Sequence, residues 1–120
     1  MRPATILIIE DHTSVRLLLA RVLEEAGYQV YEAVNGRQGL ERFHAHRVDL
    51  VITDLEMPEM NGLAVILELT RAFLNVKVIA MSGRSANELS MAKLLGARQT
   101  IVKPFDLPTL LRAVQYELQH

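Results

Sequence analysis

The chain has 120 residues, half of them apolar, with a net charge of −1; that is length enough for one domain with its own core, and the balanced charge excludes a bulk pull toward nucleic acid or anionic lipid. It contains no cysteine, which excludes disulfides, thiolate metal sites and thiol catalysis. No apolar run reaches bilayer length and no signal-peptide layout opens the chain, so the cytoplasm is the expected location, with no membrane partner.

Thr5–Ile9 is a short run rich in isoleucine, read as a strand. Val15, Leu18, Leu19, Val22, Leu23 and Ala26 then recur at the spacing of one helix face, and Gly27 stands where a left-handed C-terminal residue belongs. Tyr28–Val34 alternates polar and apolar residues, as a half-exposed edge strand does. Gly36–His46 carries a weaker helical pattern on Leu40 and Phe43, and Val48–Thr53 is again a buried strand. Leu63, Ile66, Leu67, Thr70, Phe73 and Leu74 form the next helix face, followed by a strand at Val76–Met81. In Ser85–Leu95 a ridge of Ala86, Leu89 and Ala92 leaves Met91 and Leu94 to one side, either as core or as an exposed partner patch. Thr100–Val102 is the last strand. Leu107, Leu110, Leu111, Val114 and Leu118 form the last helix face, with Asp106 as N-cap and Pro108 in the first turn.

No repeat, low-complexity tract or linker interrupts this alternation, so residues 1–120 read as one domain. Strands alternating with helices predict an α/β, doubly wound (βα)5 fold of the flavodoxin-like kind, with a five-stranded parallel sheet. The polar second strand belongs at an edge, which suits the order 2-1-3-4-5.

The polar residues fall at the strand ends. The first strand leads into Glu10 and Asp11, the third into Asp54, the fourth into Ser82 and the fifth into Lys103. In an open parallel sheet these ends share one rim, where ligands bind. Three acids against one lysine raise each other's pKa and repel phosphate. A hard divalent cation resolves both problems, and an all-oxygen donor set suits Mg²⁺. Asp54 is then the natural nucleophile for an acyl phosphate, with Lys103 and the Ser82 hydroxyl contacting the phosphoryl oxygens.

The order Glu10-Asp11, Asp54, Ser82, Lys103-Pro104, with Met57-Pro58 and Asn61-Gly62 after the aspartate and Gly96-Ala97 before the last strand, resembles the receiver domain of two-component response regulators. The resemblance implies phosphoryl transfer to Asp54 from a sensor histidine kinase or a phosphotransfer protein. It also implies Mg²⁺ held by Asp11, Asp54 and the backbone carbonyl of Glu56, with Glu10 acting through water, and a cis bond between Lys103 and Pro104. Such a domain catalyses transfer to, and hydrolysis from, its own aspartate only; it is not an enzyme acting on other substrates. Its output partner is met through the last helices, and the domain itself binds no nucleic acid.

One departure stands out: the family's aromatic residue three positions before the lysine is here Thr100, so output is expected through the backbone after Ser82 and through the Ser85–Leu95 helix. Glu56 and Arg84, opposite in charge and each two residues beyond a pocket residue, are expected to pair over the phosphoryl group. His12 is assigned no role, and Met57, Met60 and Met81 read as packing. Two other readings compete. A phosphorylation-independent interaction module has only Thr100 in its favour. An aspartate-nucleophile phosphatase places its acidic element after the first strand, not the third.

Overall fold

Every residue of Thr5–Ile9 is buried, which requires apolar packing on both faces of the strand, and the fold supplies it. The computed structural model describes residues 2–58, 60–73, 75–83 and 86–120. Its strands are β1 (Thr5–Ile9), β2 (Gln29–Ala33), β3 (Leu50–Asp54), β4 (Val78–Ser82) and β5 (Gln99–Val102), separated by helices α1 (Thr13–Glu25), α2 (Gly36–Ala45), α3 (Gly62–Ala72), α4 (Ala86–Leu95) and α5 (Leu107–Gln119). All strand pairs are parallel, in the order β2-β1-β3-β4-β5, the order expected from the polarity of the second strand.

The period of two along each strand divides the core. Leu7, Ile9, Val51, Val78 and Ala80 point into a cluster closed by α2, α3 and α4, through Leu40, Val65, Ile66, Leu69, Leu89 and Ala92. Ile6, Ile8, Ile52, Ile79 and Met81 point the other way, against Leu19 and Leu23 of α1 and Leu110 and Val114 of α5. Each fully buried Leu or Ile contributes roughly 1.5–3 kcal/mol, so β1, β3 and β4 are the most firmly held elements.

Caps fix where three helices begin. Asn35 accepts from Gln38 N, Asn61 from Ala64 N and Asp106 from Thr109 N, and Gly27 takes φ +100° just beyond α1. No helix among the described residues is long and apolar enough to cross a membrane.

Some expectations shift. β3 and β4 start two residues later than their apolar runs, because Val48 and Val76 pack against the core from the connections. The buried stripe of α1 is Leu19, Ala20 and Leu23, whereas Leu18 is 50% exposed. Leu18 faces a groove of about 380 Å³ that it shares with Val15, Lys103, Pro104, Phe105 and Leu107. In α3 the buried face is Val65, Ile66 and Leu69, and Leu67 and Phe73 turn outward. Met91 and Leu94 are exposed, and α4 meets the core through Leu89 and Ala92, with Leu95 packed against them at its end. Leu74, counted in the α3 face, and Ser85, at the start of the next helix, lie outside the described residues.

Candidate functional site

The strand register aligns the polar strand ends. Ile9 pairs with Thr53, Asp54 with Met81 and Ser82 with Val102, so Glu10, Asp54, Ser82 and Lys103 emerge at one rim of the sheet. Lys103 Nζ lies 2.8 Å from Glu10 Oε1 and 3.1 Å from Asp54 Oδ1. The residues around the trio hold it in place. His12 N donates to the second Glu10 oxygen at 3.1 Å. The Arg16 guanidinium donates to the Glu10 carbonyl and pairs with Glu32, each at 3.1 Å. The Lys103–Pro104 bond is cis.

Gly62 explains part of the loop that follows the aspartate. A Cβ there would stand 2.3 Å from the Asp54 carbonyl oxygen, so only glycine lets α3 begin this close to the end of β3.

Glu10 and Asp54 are 0% and 1% exposed. Burial pushes both carboxyls above the usual carboxylate range; Lys103 opposes the rise in each, and the charge of Asp54 adds to it at Glu10. Burial pulls the Lys103 ammonium down, but its hydrogen bond to Glu10 and the charges of both acids outweigh that and hold it above the ordinary lysine value.

Among the described residues the buried Asp11 Oδ1 has no hydrogen-bond partner, and the buried Asp54 Oδ1 has the Lys103 ammonium, at 3.1 Å. An orphaned buried acceptor is costly, and an oxygen donor set of this kind fits a hard divalent cation. Glu10, Asp11 and His12 bring possible ligand atoms within 4.8 Å of one another, whereas Asp54 stands outside that trio, beside Lys103.

A second cluster lies on the other side of Asp54. The Glu56 carboxylate accepts from Ser82 Oγ at 2.5 Å and from Gly83 N at 2.8 Å, and Glu88 Oε2 of α4 is 3.2 Å from the same Ser82 oxygen. Arg84, the expected partner of Glu56, lies outside the described residues. Sequence reasoning missed Arg16, Gly83 and Glu88. The signal for Glu88 was its place in the first turn of α4, six residues past Ser82, in a helix whose apolar stripe was too poor to fix its rotation.

The family model for the response regulator receiver domain matches residues 6–115. The chain belongs to that family. As a receiver domain of the CheY-like kind it is a phosphoacceptor in two-component signalling, a signalling domain rather than a conventional enzyme. The receiver is 37% identical over 112 residues to the chemotaxis protein CheY of Thermotoga maritima, covering 91% of this chain and 92% of that one. It is 36% identical to sporulation initiation phosphotransferase F of Bacillus subtilis, covering 92% and 90%. Among solved structures, the response regulator TrrA of Thermotoga maritima, crystallised with Mg²⁺ and BeF, superposes with a TM-score of 0.88 at 32% identity, covering 95% of this receiver and 98% of that chain. A receiver domain from Clostridium thermocellum gives 0.92 at 27% identity, covering 97% and 94%.

Proposed function

We propose that this receiver takes its phosphoryl group on Asp54, and that residues 1–120 act as one such domain. The observation that carries the reading is a buried carboxylate at the end of β3, Asp54, whose Oδ1 lies 3.1 Å from a lysine ammonium. That oxygen attacks phosphorus in a phosphohistidine of a sensor histidine kinase or phosphotransfer protein. The P–N bond breaks, the imidazole nitrogen keeps the electron pair, and an acyl phosphate forms on Asp54. Lys103 follows the charge from the carboxylate onto the phosphoryl oxygens, and the Ser82 hydroxyl donates to one of them. In a separate second step, water attacks phosphorus and the Asp54 O–P bond breaks; the carboxylate keeps the electron pair, and the water's oxygen leaves in inorganic phosphate with its proton passing to phosphate or solvent. Asp54, Lys103 and Ser82 thus act on their own chain only.

Asp11, Asp54 and the Glu56 carbonyl would hold Mg²⁺, with Glu10 acting through a water; the ion would supply the positive charge that lets a phosphoryl donor approach three acids. The buried Asp11 Oδ1, with no hydrogen-bond partner among the described residues, supports this, as does the excess of acids over Lys103 at the rim. Output runs toward α4, since Glu88 of that helix brings its Oε2 within 3.2 Å of the Ser82 hydroxyl oxygen, while Thr100 lines a shallow groove with Thr109, Arg112 and Tyr116. Met91, Leu94, Val102 and Tyr116, all exposed on α4, β5 and α5, support an output partner at the last helices. The working location is the cytoplasm.

The test is chemical. After incubation with Mg²⁺ and a small acyl phosphate, borohydride reduces an aspartyl phosphate to homoserine, and peptide mapping is expected to find it at residue 54. Homoserine elsewhere, or none, removes the assignment.

A further inference from the structure

We propose that the Glu56 carboxylate is an autoinhibitory occupant of the phosphoryl seat, which an incoming phosphoryl group must displace; the inference rests on the Asp54 reading above. One oxygen, Glu56 Oε1, receives both the Ser82 hydroxyl at 2.5 Å and the Gly83 N–H at 2.8 Å. Two donors converging on one anionic oxygen at the end of β4 form a built anion seat, and hydrogen bonds to a charged acceptor are the stronger kind. Ser82 has a single hydroxyl hydrogen and Gly83 a single amide hydrogen. Neither can serve Glu56 and a phosphoryl oxygen at once.

The two sides of this contact differ in burial. Ser82 is 1% exposed and fixed in β4. Glu56 sits two residues past Asp54 on the connection to α3 and is half-buried, so an anion entering the seat displaces its carboxylate rather than Ser82. The resting receiver therefore carries its own stand-in for the phosphoryl group. Phosphorylation exchanges one anion for another on the same donors and releases the Glu56 side chain. Loading is slowed by that exchange, and the released carboxylate marks the loaded state.

A supporting role for Glu56, in which it merely orients Ser82, makes the opposite forecast, so the two separate cleanly. The full chain, Glu56→Ala and Glu56→Gln are each titrated with beryllofluoride in the presence of Mg²⁺, and their phosphorylation by a small acyl phosphate is followed by intact mass. Losing a charged acceptor is expected to raise beryllofluoride affinity and loading rate on the order of tenfold in Glu56→Ala. Glu56→Gln, which keeps an acceptor oxygen without its charge, falls between and keeps the test alive where the alanine variant does not fold. The Gly83 amide proton, bonded to the Glu56 carboxylate in wild type, is expected to shift upfield in Glu56→Ala. Unchanged or slower loading of Glu56→Ala, or equal gains in both variants, overturns the exchange and leaves the Asp54 reading standing. No loading and no beryllofluoride binding by any of the three overturns both.

Discussion

Glu10 and Lys103, 93 positions apart in the chain, meet at 2.8 Å. They follow β1 and β5, on opposite sides of β3 and β4 in the sheet, so the bond spans the rim, and the same ammonium lies 3.1 Å from Asp54 Oδ1. A lysine shared by two buried acids leaves one negative charge in excess, and the pH dependence of stability follows from that excess.

Glu10 and Asp54 have carboxyl pKa values raised above the ordinary 4.5 and 3.8, so the native state binds more protons than the unfolded chain. Stability without metal therefore falls as pH rises from about 4 through the two raised values. Asp49 works in a lower window. Burial raises its pKa, but the Arg2 guanidinium and the Thr5 N–H outweigh this and lower it below 3.8; its contribution is present above that value and lost in stronger acid. Denaturant midpoints measured in a chelator are thus expected to peak in mild acid, and a flat profile between pH 4 and neutrality contradicts the raised pair. Asp54→Asn removes one of the two and is expected to raise stability at pH 7.

Lys103→Ala should act in the opposite direction. It strands two buried carboxylates, and breaking such a pair costs about 3–5 kcal/mol when both ends are buried. The lysine side chain is 20% exposed, so roughly 2–3 kcal/mol at neutral pH is expected, read from urea midpoints without metal. Added Mg²⁺ is expected to restore part of it. An unchanged midpoint means that the ammonium is not what neutralises the acids.

Much of this was legible in the chain. The uninterrupted apolar runs of β1, β3 and β4 announce strands buried on both faces, and the polar residue after each run marks the rim. Rotation of the helices was less legible. Leu17, Leu18, Leu19 and Ala20 are consecutive apolar residues, and periodicity does not say which of them faces the sheet when two adjacent stripes both qualify. The target of the Glu56 side chain was out of reach as well, because it depends on how the connection after β3 folds toward the end of β4, which no local pattern encodes.

That rotation can be checked by a matched pair. Leu19 is 0% exposed and Leu18 is 50% exposed, so Leu19→Ala is expected to cost about 2–4 kcal/mol and Leu18→Ala under about 1 kcal/mol. Equal losses in thermal or denaturant unfolding contradict the observed face of α1.

Gly62→Ala tests how tightly α3 abuts the phosphoacceptor. With its Cβ 2.3 Å from the Asp54 carbonyl oxygen, something must move, and overpacking of this kind costs about 1–3 kcal/mol. Because the displaced atom belongs to residue 54, phosphorylation should slow along with the loss of stability. A stable variant loaded at the wild-type rate means that α3 can move away from Asp54 without cost.

The central claim is that Asp54 is where the phosphoryl group goes. It is tested most directly by intact-mass measurement of wild type and Asp54→Asn after incubation with Mg²⁺ and a small acyl phosphate. One added phosphoryl group on wild type and none on Asp54→Asn is the predicted result. Equal uptake by both, or no uptake by wild type, contradicts it.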